Sequence, residues 1–504
     1  MKKTIVVTIL MGLALSASAA SNEAIGERPN IIVILADDLG YGSVGAYGAT
    51  KVKTPNMDRI ATEGIRFTDA NTPSSVCMPT RYSLLMGEYP WRREIGLLCG
   101  PSAMQLPADR PNIASMLQSE GYATGCVGKW HLGFGEDPVD WRNSLKPGPL
   151  ERGFDYYFGI PVNLNNKPMV YIENHHLIHP EDPLHENGRD GAEKSRIDYE
   201  TVTDVITGKA VSFIEENKDQ PFFLYYATHQ IHYPIYPAPR FKGTSDAGIY
   251  GDYIQDCDWS VGQILETLDR LELTENTLVF FTSDNGAIGF SFKPGKNDIE
   301  AQKKFPGWRN GVYVTDYNTL AGPDGEFGFY RNAPWSGYKF RSKQGGSRVP
   351  FMARWPGKIK PGSQTDTLIS LTDFYATFRE LLGKQDDGQG LDSVSFLGHL
   401  LPRRTNEAPV RDYVVYQAGW TSFIGLRNKE WLLTVGGIPR NMLHYPRQAE
   451  PGTKPINSTL YHLTDDPKEE VNVYDQYPEV VQRLEQILEK EKARTLSPHS
   501  GDQN

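Results

Sequence analysis

Four apolar runs in this chain end in residues that can bind a cation or move a proton. Asp37-Asp38 follows the run Ile31 to Ala36, and Lys129 and His131 follow Tyr122 to Gly128. His229 and His232 follow Phe222 to Ala227, and Asp284-Asn285 follows Thr277 to Ser283. In an open α/β sheet, the groups that act on a ligand project from the carboxyl ends of the strands. Asp37, Asp38, Asp284 and Asn285 offer oxygen donors only, a set that suits Ca²⁺ or Mg²⁺ better than zinc or copper. Three carboxylates converging without a cation would repel one another. Either pair taken singly is equally expected as turn chemistry, because Asp and Asn favour turns. Four such strand ends together point to one site.

A fifth element is Ser74-Ser75-Val76-Cys77-Met78-Pro79-Thr80-Arg81, which runs on to Gly87. Pro79 suits the opening of a helix and Gly87 its close, which puts Cys77 at a helix N-terminus. Free backbone N–H groups and the positive end of the dipole there favour an anionic nucleophile or a bound oxyanion. Arg81, about a turn further on, adds a fixed positive charge.

These residues need a frame to hold them. Between Asn30 and Ile288, strand-like runs alternate with amphipathic helix patterns, which predicts an α/β fold with a large, mostly parallel sheet covered by helices on both faces. One helix is expected from Thr54-Pro55, burying Met57, Ile60, Ala61 and Ile65. A second follows Pro111 with Ile113, Met116 and Leu117 inward and ends at Gly121, and a third spans about Asp252 to Leu271. The stretches 173–194 and 286–338 lack a period and are expected to be surface insertions. Beyond about residue 400, short strands (Val410 to Gln417 and Trp431 to Val435) and a last helix (Glu479 to Lys492) predict a small α+β subdomain. The expected division is a leader at 1–20, a catalytic domain at 28–400 and a C-terminal subdomain at 401–504.

Lys2 and Lys3, the apolar run Ile5 to Leu15 and the small residues Ser16 to Ala20 read as a secretory signal peptide. No cysteine follows it to accept lipid and no later run is long enough to span a bilayer, so a secreted or periplasmic protein without a membrane anchor is expected. A net charge of −10 provides no basic field for nucleic acid. An anionic substrate therefore needs a local cationic pocket. Of the four cysteines, Cys77, Cys99, Cys126 and Cys257, Cys126 in a strand and Cys257 on an apolar helical face are expected to be core residues.

Taken together, the motifs resemble the formylglycine-dependent sulfatases of the arylsulfatase A-like type, in the alkaline phosphatase superfamily, over nearly the whole mature chain. The resemblance is carried by Pro29-Asn30 through Asp37-Asp38-Leu39-Gly40-Tyr41-Gly42, by Cys77 to Arg81, and by Gly128-Lys129-Trp130-His131-Leu132-Gly133. It continues in Thr282 to Gly286, in Gly345 to Pro350 with Trp355-Pro356-Gly357, and in Leu460-Tyr461-His462-Leu463 with Asp466-Pro467 and Asn472-Val473-Tyr474. Gln344 departs from the pattern, where a glutamate is usual.

The resemblance implies a sulfuric ester hydrolase with an alkaline phosphatase-like fold. A formylglycine-generating enzyme would convert Cys77 to formylglycine (3-oxoalanine), whose hydrate is the nucleophile. Ca²⁺, with Mg²⁺ as the alternative, would be held by Asp37, Asp38, Asp284, Asn285 and the modified Cys77. Arg81 would stabilise the ionised hydroxyl, and Lys129 and Lys339 would grip sulfate oxygens. His232 would protonate the leaving alcohol, His131 would act as base, and Asn163 would stand near the formylglycine. Aromatic and polar residues of the insertions, among them Tyr171, His175, His176, Trp308, Arg309, Trp335 and Tyr338, favour a sulfated carbohydrate or polysaccharide as substrate. A lid packing on itself would use the same residues. Two other readings of the site stay open: a phosphate ester hydrolase of the same superfamily, and a sulfated-glycan binding protein in which Cys77 is never converted.

Overall fold

The structure, a computed structural model, describes residues 28–96, 102–181, 197–289, 329–401, 409–418, 423–436 and 458–494, together with a short backbone ladder at 308–309 and 312–313. The expected signal peptide, Cys99 and most of the insertion at 286–338 lie outside the described residues, as do the side chains of Trp308 and Arg309.

One sheet organises the chain. Its strands are β1 (Asn30–Ala36), β2 (Ile65–Phe67), β3 (Ala123–Lys129), β4 (Tyr156–Ile160), β5 (Ile172–Glu173), β6 (His176–Leu177), β7 (Phe222–Ala227), β8 (Thr277–Ser283), β9 (Phe351–Arg354) and β10 (Ser363–Thr365). They lie in the order β10-β2-β9-β8-β1-β7-β3-β4-β5-β6. The centre, from β8 to β4, is parallel. β9 and the β5–β6 ladder are antiparallel. The four strands singled out in the sequence therefore form the contiguous parallel centre, and their carboxyl ends open on the same edge.

Alternation along these strands explains why they are apolar throughout. Ile31, Val33 and Leu35 of β1, with Phe223 and Tyr225 of β7 and Leu278 and Phe280 of β8, enter one core. Ile32, Ile34, Leu224, Tyr226, Val279 and Phe281 enter the other. A strand buried on both faces has no polar side to show. The first face is covered by α1 (Cys77–Met86), α2 (Ile113–Ser119) and α3 (Phe374–Leu381). The second is covered by α4 (Pro55–Thr62), α5 (Val202–Glu216) and α6 (Gly248–Arg270). Cys126 lies in the first core and Cys257 in the second, both as buried thiols.

Three expected boundaries move. Ile65 is not on the helix that starts at Pro55 but opens β2. At Gly64 the chain turns so closely against β9 that an added Cβ would lie 2.0 Å from the Ala353 carbonyl oxygen, and a helix could not continue there. α6 begins four residues before Asp252. The first strand of the C-terminal region begins at Val414 rather than Val410.

That region holds a second, antiparallel sheet of β11 (Val414–Ala418), β12 (Phe423–Arg427), β13 (Trp431–Val435) and β14 (Thr459–His462). α7 (Pro478–Ala493) packs Val480, Val481, Leu484 and Leu488 against Val415, Leu426, Leu433 and Leu460 of that sheet. Its edge strand also reaches the main body: the Ser75 amide donates to the Gln417 carbonyl at 3.0 Å, and the Gln417 amide donates to the Pro73 carbonyl at 2.9 Å. The small sheet thus abuts the segment that leads into Cys77.

Candidate active site

α1 starts at Cys77 itself, two residues before Pro79, and closes at Gly87. Gly87 takes a φ of +66°, a left-handed value that glycine tolerates, and its amide donates back to the Ser83 carbonyl. Cys77 is therefore in the first helical turn, where amide hydrogens have no intrahelical acceptor. It is 1% exposed.

The carboxyl end of β1 comes to it directly. Cys77 Sγ lies 3.5 Å from Asp37 Oδ1 and 3.9 Å from Asp38 Oδ1. Asp38 takes a φ of +64°, a turn conformation that Asp adopts more readily than most residues. The Asp37 amide donates to the Gln230 carbonyl at 2.7 Å, and the Ile231 amide donates to the Asp37 carbonyl at 2.5 Å. This pairing extends the β1–β7 contact past the strand ends and brings His232 within reach, with Nε2 3.8 Å from Asp38 Oδ2. Asp37, Asp38, Cys77 and His232 each place a ligand-type atom within 4.8 Å of the others.

β8 supplies the opposite wall. Asp284 Oδ1 accepts the Asp38 amide at 3.2 Å. Ser283 ties the two acidic turns together, its Oγ accepting the Leu39 amide at 2.9 Å and donating to the Asn285 carbonyl at 2.9 Å. The sequence contained Ser283 within a motif but offered no sign of this role. Asn285 Nδ2 donates to Asp38 Oδ1 at 2.7 Å. At Gly286 a Cβ would sit 1.8 Å from the Gly345 carbonyl oxygen, so only glycine lets the second acidic turn lie against the later loop.

Three cations face the three carboxylates. Lys129, at the end of β3, donates from Nζ to Asp37 Oδ2 at 2.6 Å. Arg81 holds Asp284 Oδ2 through Nε at 2.9 Å and Nη2 at 2.8 Å, and donates from Nη1 to the Lys129 carbonyl at 2.8 Å. Lys339 Nζ is 2.6 Å from Asp38 Oδ1 and donates to Cys77 Sγ at 3.1 Å. All six are buried.

Burial raises the carboxyls of Asp37 and Asp38, but Lys129 beside the first and Lys339 beside the second, with His232, hold both below the usual aspartate range. Burial pushes the Cys77 thiol far up, reinforced by Asp284. Burial would lower Lys339, yet Asp38 and Cys77 raise it well above an ordinary lysine. His232 is lowered by burial and by Lys339, against the pull of Asp38.

The donor set fits a hard divalent cation. Asp38 Oδ2 and Asn285 Oδ1 are buried oxygens with no hydrogen-bond donor among the described residues, and an unsatisfied buried polar atom is costly unless something coordinates it. With Asp37, Asp38 and Asp284 balanced by Arg81, Lys129 and Lys339, a divalent ion would leave the pocket with a positive charge suited to an anionic ester. That would be the local cationic pocket an acidic protein needs.

The remaining expected residues are more dispersed. His131, two residues beyond Lys129, is buried at a φ of +60°, with its amide donating to the Pro161 carbonyl at 3.0 Å. Asn163 follows the adjacent strand β4, half-buried, with Nδ2 donating to Asn166 at 3.2 Å and Oδ1 buried without a partner among the described residues. His229 is buried with neither ring nitrogen hydrogen-bonded among the described residues, its ring set against Tyr253, and burial holds it down to about 3. Among the insertion aromatics, Trp335 lies under the Arg348 guanidinium at 3.8 Å and against Tyr41, and Tyr338 accepts from Arg341 at 3.0 Å.

The chain is similar to known proteins over most of its length. The Sulfatase family model matches residues 29–384. An N-acetylgalactosamine-6-O-sulfatase of Bacteroides thetaiotaomicron is 36% identical over 93% of this chain and 94% of its own length, and bovine (Bos taurus) arylsulfatase A is 30% identical over 95% of this chain and 90% of its own. A solved structure from work on glycosaminoglycan metabolism by Bacteroides thetaiotaomicron superposes with a TM-score of 0.78 at 34% identity, covering 93% of this chain and 100% of the other. A large sheet flanked by helices, a buried cysteine among carboxylates and lysines at its carboxyl edge, and these matches along nearly the whole length place the chain in the sulfatase family, as a sulfuric ester hydrolase.

Proposed function

We propose that the protein releases sulfate from a sulfated glycan, with Cys77 converted to formylglycine and a Ca²⁺ ion held by Asp37, Asp38, Asp284 and Asn285. The observation that carries this reading is Cys77 at the first turn of a helix, in contact with Asp37 and Lys339, in a pocket where buried oxygens lack donors among the described residues. A thiol so deeply buried among carboxylates stays protonated and is a poor nucleophile, which favours a modified side chain as the reacting group. The same burial means that a formylglycine-generating enzyme would act before the chain folds.

When formed, the formylglycine hydrate supplies two geminal hydroxyls, one to attack sulfur and one to expel sulfate by carbon–oxygen cleavage, avoiding a second attack at sulfur. A cation held by Asp37, Asp38, Asp284 and Asn285 would supply positive charge to neutralise the sulfate and acidify the nucleophile. The chain's own residues do the rest. Lys129 and Lys339, held on the pocket wall by Asp37 and Asp38, are placed to grip sulfate oxygens as point charges. Arg81, fixed by Asp284, keeps positive charge beneath the nucleophile. His232, lowered yet close to Asp38, suits a proton donor to the leaving alcohol, and His131 suits the base for the second hydroxyl. Asn163, with its unpartnered Oδ1, is assigned to the substrate side.

The substrate class rests on the relatives. One is a bacterial N-acetylgalactosamine-6-O-sulfatase and another is the canine (Canis lupus familiaris) N-acetylgalactosamine-6-sulfatase, 32% identical over 80% of this chain. A 6-O-sulfated amino sugar within a glycan is therefore the first substrate to try. A secreted or periplasmic location, a catalytic domain at 28–400 and a C-terminal subdomain at 401–504 complete the reading; among the described residues no helix is long and apolar enough to cross a membrane. Mass spectrometry across Cys77, with a sulfate-release assay on the same protein, tests it. A peptide lighter by the thiol-to-aldehyde change together with sulfate release is expected; unmodified cysteine without release would move the reading to a sulfated-glycan binding protein.

A further inference from the structure

Lys339 stands on a loop, and a four-carbon side chain places its ammonium only as well as its backbone is placed. The middle of that loop is fixed by the main body: the Lys339 amide donates to the Ala287 carbonyl at 3.0 Å, and the Phe340 amide donates to the Ser75 carbonyl at 3.0 Å. Its ends close on each other, with the Gly345 amide donating to the Ser336 carbonyl at 2.6 Å. Those ends are held from the C-terminal region. Glu469, seven residues after β14, is 0% exposed and adopts a φ of +55°. Its Oε2 accepts from Ser336 Oγ at 2.7 Å, and its Oε1 accepts from the Gln344 amide at 3.0 Å. Its carbonyl accepts Lys343 Nζ at 2.6 Å. Tyr416, on β11, adds a hydroxyl bond to the Ser342 carbonyl.

We propose that Glu469 is a positioning residue for sulfate binding: reaching across from the loop that follows the C-terminal sheet, it clamps both ends of the Ser336–Gln344 loop and so keeps the Lys339 ammonium against Cys77 and Asp38. This rests on the reading of Lys339 as a sulfate-gripping group. A buried carboxylate is costly unless its hydrogen bonds are well made, and here burial raises Glu469 to about 7. A group kept at that cost, bridging two parts of the chain that lie more than a hundred residues apart in sequence, is placed for geometry rather than for packing. The C-terminal region thereby serves the pocket through the loop it holds in place.

The test uses the full-length chain and inorganic sulfate as the probe, with affinity read by titration calorimetry beside kcat, KM and Tm. Glu469→Ala is expected to weaken sulfate binding and raise KM by about tenfold, with a smaller change in kcat. Glu469→Gln, whose amide can still accept from the Gln344 amide and donate to Ser336 Oγ, should stay within about threefold of the parent. In a Lys339→Met background, Glu469→Ala should add less than about twofold, because the two act through one contact. A lowered Tm with unchanged sulfate affinity, or full additivity in that background, overturns the proposal. Should Glu469→Ala not fold, Ser336→Ala removes one hydrogen bond of the clamp, and a sulfate affinity unchanged by it overturns the proposal equally. Calorimetry needs no turnover, so a chain that binds sulfate but hydrolyses no ester would sink the proposed function while leaving the clamp to stand or fall on its own measurement.

Discussion

Arg81 and Asp284 form a fully buried ion pair in which two guanidinium nitrogens, Nε and Nη2, converge on one oxygen, Oδ2, leaving Oδ1 to the Asp38 amide. Asp284 thus fixes the arginine near Cys77 in place and, through its other oxygen, ties down the neighbouring acidic turn. Asp284→Ala should cost stability as well as chemistry, about 3 to 5 kcal/mol for a buried charge stripped of its partner, and calcium and activity should be lost together. Metal analysis and urea unfolding check this. A variant that keeps both its metal and its turnover would remove Asp284 from the site.

Cys77→Ala tests the nucleophile. The side chain is buried but small, so its removal should cost about 1 kcal/mol of stability, while turnover should fall by at least about a thousandfold. Retained sulfate release in a well-folded Cys77→Ala protein would end the proposed mechanism.

Calcium should act as a ligand of the folded state. A chelator is expected to abolish sulfate release and added Ca²⁺ to restore it, and at about a hundredfold excess over Kd the ion should stabilise the fold by about 2.7 kcal/mol. Melting curves with and without Ca²⁺ read this directly. The rise should be absent from Asp284→Ala and reduced in Asn285→Ala, whose buried Oδ1 has no partner among the described residues. A melting temperature indifferent to Ca²⁺ in the parent would argue against a resident cation.

The two histidines after β7 should separate. His232, beside Asp38, is expected to lose about 10² to 10⁴ in kcat on replacement by Ala, whereas His229→Phe should cost less than about tenfold. Equal losses would overturn the assignment of His232 as the acid.

His229 also predicts an acid response. Burial holds it at about 3, below the ordinary value of about 6.5. The unfolded chain therefore binds the extra proton first. The stability associated with a neutral His229 is complete above about pH 6.5 and is lost as pH falls from there towards 3. His229→Phe should flatten that part of the profile, measured as the difference in unfolding free energy between pH 7 and pH 4.5. An unchanged difference would mean that this imidazole does not stay neutral in the fold.

Much of the frame could be read from the residues because its signals are local. A strand buried on both faces must be apolar throughout, so Ile31 to Ala36 and Thr277 to Ser283 identify themselves, and parallel strands put their carboxyl ends on one edge. The helix starting at Pro55 was legible from its proline and apolar spacing, but its end was not. Ile65 continues the helical period by coincidence, and only the passage of β9 past Gly64 turns the chain into a strand. Val410 likewise carries strand character without a partner to pair with.

The residue types therefore determined the α/β class, the polar residues at four strand ends and the cysteine at a helix start, since each is a matter of spacing along a few turns or strands. Only the tertiary structure decided which charge meets which. Lys129 faces Asp37, Lys339 faces Asp38 and Cys77, Arg81 faces Asp284, and Glu469 reaches the loop that carries Lys339. Periodicity assigns a side chain to a face, but pairing across tens to hundreds of residues depends on strand order and on the close approach of backbones, and neither leaves a local mark.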